Sequence, residues 1–533
     1  MSWIKLILIV TALVLANAPS LSGQDKKEKP SRKKAKADLS EQLFATNAPI
    51  RTFRIEISSN ELAALKRDAR AYARGAISEG SNVLRDVGVH LKGNGSFQGL
   101  DQKPSFAVKF DRFVDDRELF GLNKIMLNNS VQDGTFLAEM MATWMFRDAN
   151  VPSPRVTHSR VTFNGRDLGM YVCIEAENKN FLKRWFKNGT GSLYENYLKD
   201  VDAEMDQDNG DDLSQADVKN LAGVTKLPDP AERWTKLQTV LDVDRYVSHL
   251  VCEIFTSHTD GYAMNRNNYR IYYNPDDGRF TFIGHGMDWG FANTGVSKNP
   301  PMNSLVTKAA LTTPQGSALF KERRGTLFTN VFRLDVMTNR VNTAVARLLA
   351  QARNQNETND YRRWGMEMNN RIVTRWQNLT NQFAAPEPVP LAFDGNGVAS
   401  LKSWQKKLDT GTPVQDEATS DGKKVLRISS TNAACIASWR TRVLLAPGKY
   451  RFEGDLRGTR IEPLPNEIGI GAGLRISGDK RQNKLVGDAA WTHLQYDFNI
   501  EGAEREVELV CELRANKGEV LFDAASLYLI RQR

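Results

Sequence analysis

TDGYAMNRNNYRIYYNPDDGRFTFIGHGMDWGF, residues 259–291, is the stretch from which the fold of this chain is read. Asn268 to Tyr273 and Arg279 to Ile283 form a predicted strand pair, and Pro275-Asp276-Asp277-Gly278 between them supplies the residues a tight turn needs. Asp260, Asn265, Asn267, Asn268 and Asp288 gather around that hairpin. Carboxylate and amide oxygens suit a hard cation such as Mg²⁺, which keeps some waters and completes its shell with phosphate oxygens. Phosphoryl transfer uses such a set: an orienting carboxylate, a metal-binding Asn and a metal-binding Asp. On residue types alone, the same Asp and Asn also mark ordinary loops.

Outward from the hairpin, the pattern alternates strands and helices. Arg51 to Ile57 alternates as a strand, and Ser59 is read as the N-cap of a helix reaching Arg70. Strands are predicted at Asp86–Leu91, Phe106–Phe110 and Asn123–Asn128, then an amphipathic helix from Thr135 to Ala149, ended by Val151-Pro152. Arg160–Phe163, Asn164-Gly165 and Leu168–Ile174 make a hairpin. Asp242 to Thr256 is helical, and so is most of the chain from the central hairpin to Phe383. This succession predicts an α+β domain over residues 45–385. Pro386, Pro388 and Pro390 mark a linker, 386–390. Short β-type runs follow at Lys424–Ile428, Trp439–Leu445, Lys449–Leu456, Gly471–Ile476, Leu494–Ile500, Glu506–Leu513 and Val520–Ile530. They predict an all-β, jelly-roll-like sandwich over 391–533.

A length of 533 residues implies two or three domains, and 41% hydrophobic with 25% charged residues is ordinary globular composition. Residues 1–23 read as a signal peptide: Lys5, an apolar run from Leu6 to Leu15, then small residues. The expected location is therefore outside the cytoplasm: periplasmic, cell-surface or extracellular. No later apolar run is long enough to span a membrane, so no transmembrane span is expected after signal cleavage. Much of the net charge of +9 sits between Lys26 and Lys36, inside a basic linker at 24–44, which is read as a solvated segment rather than a nucleic-acid site. The four cysteines lack the close pairs of a zinc site. Cys435 and Cys511 share the C-terminal segment, where export would permit a bridge.

Thr259-Asp260, the Asn267-Asn268-Tyr269-Arg270-Ile271-Tyr272 strand and the Phe280–Phe291 turn resemble the CotH family of atypical protein kinases. Upstream, Leu91-Lys92-Gly93-Asn94-Gly95-Ser96, Lys103-Pro104-Ser105, Asn164-Gly165 with Leu168-Gly169-Met170-Tyr171 leading into Glu175, Gly191 to Glu195 and Asp242 to Tyr246 fit that family in order and spacing. The resemblance implies a divergent kinase fold that binds ATP with Mg²⁺ or Mn²⁺ and phosphorylates a protein substrate. It makes Asp260 the catalytic carboxylate, Asn268 or Asn265 a metal ligand, and Asp288 the metal Asp of a DFG-like turn. On the nucleotide side it implies Lys92, with Lys103 or Lys109 on phosphates and Glu175 as their partner. Three departures stand out: Gly286 where many relatives carry an acidic residue, Lys92 where many carry Arg, and Pro104 where many carry a second lysine.

Other features are read as structural. His258 and His285 flank the site without metal spacing. The acidic run from Asp200 to Asp212 lacks EF-hand positions and is read as a solvated loop, and Gly93 with Gly95 as turns. Trp439, Trp491, Tyr450 and Tyr496 are candidates for stacking on a surface glycan, with sandwich core as the commoner role at alternating positions. The alternative function is a catalytically silent envelope or matrix scaffold, or a glycan-binding protein.

Overall fold

In the computed structural model the described residues are 38–386, 389–431, 433–464, 470–500 and 504–532. The expected signal peptide and the basic run at 26–36 lie outside them. The alternation of Arg51–Ile57 (β1) turns Phe53, Ile55 and Ile57 inward, and that apolar stripe helps to close a barrel. Its other strands are Ala73–Glu79 (β2), Asn82–Lys92 (β3), Ser105–Lys109 (β4), Lys124–Asn128 (β5), Val156–Phe163 (β6) and Arg166–Glu175 (β7). Their order is β1-β2-β3-β4-β5-β7-β6, with β1 and β6 closing the barrel in parallel. Val87, Val89 and Leu91 of β3 point into the core, so Lys92 at its end lies opposite Ser105.

The first helices are Glu41–Phe44 (α1), Ser59–Arg67 (α2), Ala138–Asp148 (α3) and Lys179–Trp185 (α4). The N-cap of α2 is Ser58, whose hydroxyl accepts from Glu61 N–H, one residue earlier than expected. That helix stops at Arg67 rather than Arg70, because the Asp68 backbone is extended and its carboxylate accepts from the N–H groups of Arg70 and Ala71. Strand β2 escaped prediction because ARGAISE has no apolar alternation.

A second sheet runs β11-β10-β8-β9, built from Leu193–Asn196 (β8), Asp206–Asn209 (β9), Tyr269–Asn274 (β10) and Arg279–Gly284 (β11). Around it lie Ala216–Thr225 (α5), Pro230–Val240 (α6), Val243–Phe255 (α7), Tyr262–Asn265 (α8), Leu305–Leu311 (α9), Pro314–Asn330 (α10), Leu334–Leu349 (α11) and Gln355–Ala384 (α12). Their common core joins Met141, Met145 and Phe146 of α3 to Leu250, Val251 and Ile254 of α7 and to Met368 and Ile372 of α12. Buried Arg375 of α12 donates to the carbonyls of Ile254, Phe255 and Thr294, tying the end of α7 to the loop after Asp288. Among the described residues no helix is long and apolar enough to cross a membrane.

From Val398 onward the chain is β-structure, and among the described residues none of its strands pairs with those before residue 285. The long strand Arg505–Asp523 takes in the predicted Glu506–Leu513 and the start of Val520–Ile530, whose end belongs to a separate strand Tyr528–Gln532, and it pairs with Cys435–Leu445 and Gly471–Ile476 along one part and with Lys423–Ser430 along another. Trp439, Tyr450 and Tyr496 are buried in this core, so of the aromatic candidates only Trp491 stays partly open, its ring faced by Lys423 and Arg457. Cys435 and Cys511 are buried free thiols.

Candidate active site

Helix α7 delivers the chain to Asp260. Its N-terminus is capped by Asp242, whose carboxylate accepts from Arg245 N–H. Near its end, fully buried Glu253 accepts from Tyr262 N–H at 2.8 Å and Ala263 N–H at 3.1 Å, which folds the following loop back on the helix. A Cβ at Gly261 would lie 2.4 Å from Glu253 Oε1, so only glycine fits this contact. Burial pushes the Glu253 carboxyl up to about 8, while the two N–H donors pull it back. Asp260 then projects into a ring of amides: Asn265 Nδ2 bonds to its Oδ1, and Asn267 and Asn268 Nδ2 to its Oδ2, both at 2.9 Å. The three amides fix the carboxylate plane.

Strand β11 leads to the Asp288 turn. Gly286 adopts φ of 60°, and a Cβ there would sit 2.7 Å from Asn268 Oδ1. The turn therefore rests directly on the Asn268 side chain, which joins the two aspartate loops and leaves no room for an acidic side chain at 286. Burial pushes Asp288 up to about 6, against the pull of Lys92 and with a smaller push from Asp133 and Asp260.

The third wall comes from the barrel. Lys92 Nζ donates to Asn128 Oδ1 at 2.6 Å, and Asn128 Nδ2 donates to Glu139 Oε2 at 3.2 Å. Glu139 is in the first turn of α3, whose start is fixed by Asp133: its Oδ2 accepts from Leu137 and Ala138 N–H, and its Oδ1 pairs with Arg371 of α12. Burial pushes Glu139 up to about 7, Asp288 adds to that, and Lys92 opposes it. Burial lowers Lys92, and Glu139 and Asp288 pull it back. Lys92, Glu139 and Asp288 thus feel one another's charge, and Glu177, Arg270 and His285 add to the same surroundings.

Of the residues singled out from sequence, Asp260, Asn265, Asn268, Asp288 and Lys92 come together; three others do not. Glu175, expected as the partner of Lys103 or Lys109, has a side chain 2% exposed that is taken up by Arg155 and Arg184 instead, and the carboxylate linked to Lys92, through Asn128, is Glu139. Lys103 lies against the rings of Phe136 and Tyr171, 4.6 and 5.0 Å from their centres, and burial alone lowers it to about 8. Lys109 is half exposed, 3.9 Å from Asp111, and is four residues along β4 from the partner of Lys92, roughly 13 Å away. The acidic run is not wholly solvated either. Asp200 is buried, accepting from Tyr262 O–H and Leu305 N–H, and Asp208 pairs with Arg270 at 2.6 Å.

Sequence reasoning missed Asn128, Glu139, Glu177 and Glu253. It also passed over a usable signal: His258-Thr259-Asp260 with Asn265 five residues on has the H-x-D-x-x-x-x-N spacing of a kinase catalytic loop. His258 is buried, and burial lowers it to about 4, a neutral core residue as expected.

The residues fit a hard divalent cation. Asp288 and the amide oxygens of Asn265 and Asn268 are oxygen donors of the kind such a cation takes, and a cation beside them would oppose the burial that pushes Asp288 up. Among the described residues no three His, Cys, Asp or Glu side chains are placed to hold a metal, so such an ion would take its remaining ligands from phosphate and water.

The inner spore coat protein H of Bacillus subtilis (strain 168) is 22% identical over 209 residues, 36% of this chain, and the chain spans about half (55%) of the length of that curated relative. Among solved structures, the Helicobacter pylori proinflammatory kinase CtkA aligns with 55% of this chain and 96% of its own at 4% identity and a TM-score of 0.26. TmCBM61, solved with β-1,4-galactotriose, aligns with 25% of this chain and 91% of its own at 17% identity and a TM-score of 0.19. The family model described as CotH kinase protein matches residues 89–407, more than half of the chain, and the chain belongs to that family.

Proposed function

We propose that this chain is an exported CotH-type kinase that transfers the γ-phosphate of ATP, with Mg²⁺ or Mn²⁺, to a Ser or Thr hydroxyl of an envelope or extracellular protein. The observation that supports this reading is the meeting of Lys92, Asp260, Asn268 and Asp288 from three separate parts of the chain in one cleft. Asp260, its plane fixed by three amides, would orient the acceptor hydroxyl and take its proton as the oxygen attacks phosphorus. Lys92 would hold phosphate oxygens, its ammonium aimed by Asn128 and Glu139. Asp288, with Asn265 or Asn268, would hold the cation, which when bound neutralises charge developing on the phosphoryl group. The kinase region corresponds to residues 45–385 and the sandwich to 391–533. Half-open Trp491 is the aromatic that favours a surface-glycan contact for the sandwich.

The test is incorporation of γ-phosphate from ATP with Mn²⁺ or Mg²⁺, into the protein itself and into a generic Ser/Thr-rich protein. Asp260→Asn is expected to lower transfer by about 10²- to 10⁴-fold and leave nucleotide affinity within a few-fold. If calorimetry on the intact wild-type protein shows no metal-dependent nucleotide binding, the chain is a scaffold on this fold.

A further inference from the structure

The roles above leave His285 without a task, although its ring is held more firmly than packing requires. Nδ1 lies 2.6 Å from Glu177 Oε1, and the Glu177 side chain is only 3% exposed. Glu177 is fixed in turn by Arg270, which donates to its carbonyl at 3.3 Å and sits 4.0 Å from its carboxylate. Arg270 is itself locked to Glu195 and Asp208. A carboxylate at Nδ1 sets the imidazole's orientation and directs its other nitrogen outward. For Nε2 the described residues provide no partner, and the side chain keeps 32% of its surface open. Burial opposes protonation, but Glu177 outweighs it and raises the ring; Glu139 on the cleft wall is close enough to feel its charge.

We propose that His285 is a phosphate-binding residue, with Nε2–H donating to a non-bridging oxygen of the nucleotide's polyphosphate. With Nδ1–H held by a buried carboxylate, Nε2 carries a hydrogen only in the imidazolium, the form that Glu177 favours; that clamped imidazolium is a donor that needs no reorganisation when an anion arrives. Glu177 is then a positioning residue that acts through the ring. The groups facing His285 are Glu177, Arg270, Glu195, Glu139 and the buried His258. No covalent step is involved; the phosphoryl transfer itself remains that of Asp260 and the acceptor hydroxyl.

The inference rests on the nucleotide-binding reading and is tested by calorimetry on the full chain with ATP, ADP and adenosine, each with Mg²⁺. His285→Ala is expected to weaken ATP binding roughly 10- to 100-fold and adenosine binding less than about 2-fold. His285→Gln, which keeps an N–H donor, recovers part of the loss, and Glu177→Gln weakens ATP by a smaller factor. A His285→Ala protein that binds ATP like wild type, or that loses ATP and adenosine in parallel, overturns the assignment. Wild-type protein that binds none of the three removes the kinase reading itself, a distinct result.

Discussion

Asp288→Asn should make the ligand-free protein more stable while abolishing its response to Mg²⁺-ATP. Burial carries the Asp288 carboxyl from its ordinary 3.8 to about 6. Between those values the folded chain holds a proton that the unfolded chain releases, so stability is full below the lower value and falls as pH rises toward the upper one. A displacement of about 2 pH units corresponds to about 3 kcal/mol at pH 8, an upper figure because the pocket can relax. The amide carries no charge to bury, and it also removes the push that Asp288 exerts on Glu139. In metal-free buffer at pH 8 the variant should therefore melt about 5 °C above wild type, with the difference closing toward pH 4. Mg²⁺-ATP at 100 times Kd should add about 2.7 kcal/mol to wild type and nothing to the variant. Thermal melts at both pH values, with and without nucleotide, read all four states. A variant less stable than wild type at pH 8 without metal would show that Asp288 holds the fold rather than a cation, and the reasoning would fail.

Lys92→Met should reduce ATP affinity at least about 10-fold in calorimetry with little loss of fold, since an apolar chain of similar length fills the space and Asn128 stays bonded to Glu139. Glu253→Ala strips two buried N–H groups of their acceptor; a loss of about 2–4 kcal/mol in denaturant unfolding is expected, with hydrogen exchange rising first at Tyr262 and Ala263. Glu175→Ala leaves Arg155 and Arg184 without their shared carboxylate, which should cost about 2–4 kcal/mol in the same assay yet leave the ATP affinity of the folded protein unchanged. A drop in affinity there would restore Glu175 to the site.

How much was legible in the sequence follows from which interactions are local. The hairpin around Pro275–Gly278, helix α7 behind its Asp242 cap and the Asn164-Gly165 turn all follow from residues a few positions apart, and each stands in the structure within a residue or two of its prediction. Strand β2 turns only Ala73 and Ile77 into the barrel core, too few apolar residues to show alternation, and the exposed strand Gln405–Thr410 has no buried face, being held by edge pairing. In the site, Asp260 and its amides lie within eight residues of one another and could be read as a group. Which acid is linked to Lys92 could not be read that way: Glu139 is in the first turn of α3 and Glu175 ends β7, and nothing in the residues around either says that it faces the lysine.

The amino-acid sequence by itself determined most of the secondary elements and which aspartates and asparagines gather around the central hairpin, because period, caps and short motifs are properties of neighbouring residues. Only the tertiary structure decided that Glu139 stands behind Lys92, that Lys103, Lys109 and Glu175 lie elsewhere, and that Gly286 must be bare. Those outcomes depend on the register of β3 against β4 and on the closing of the Asp288 turn over Asn268. Contacts of that kind are set by packing between elements rather than by neighbouring residues: Lys92 and Asn128 are 36 positions apart and Asn128 and Glu139 are 11, and sequence spacing carries no distance.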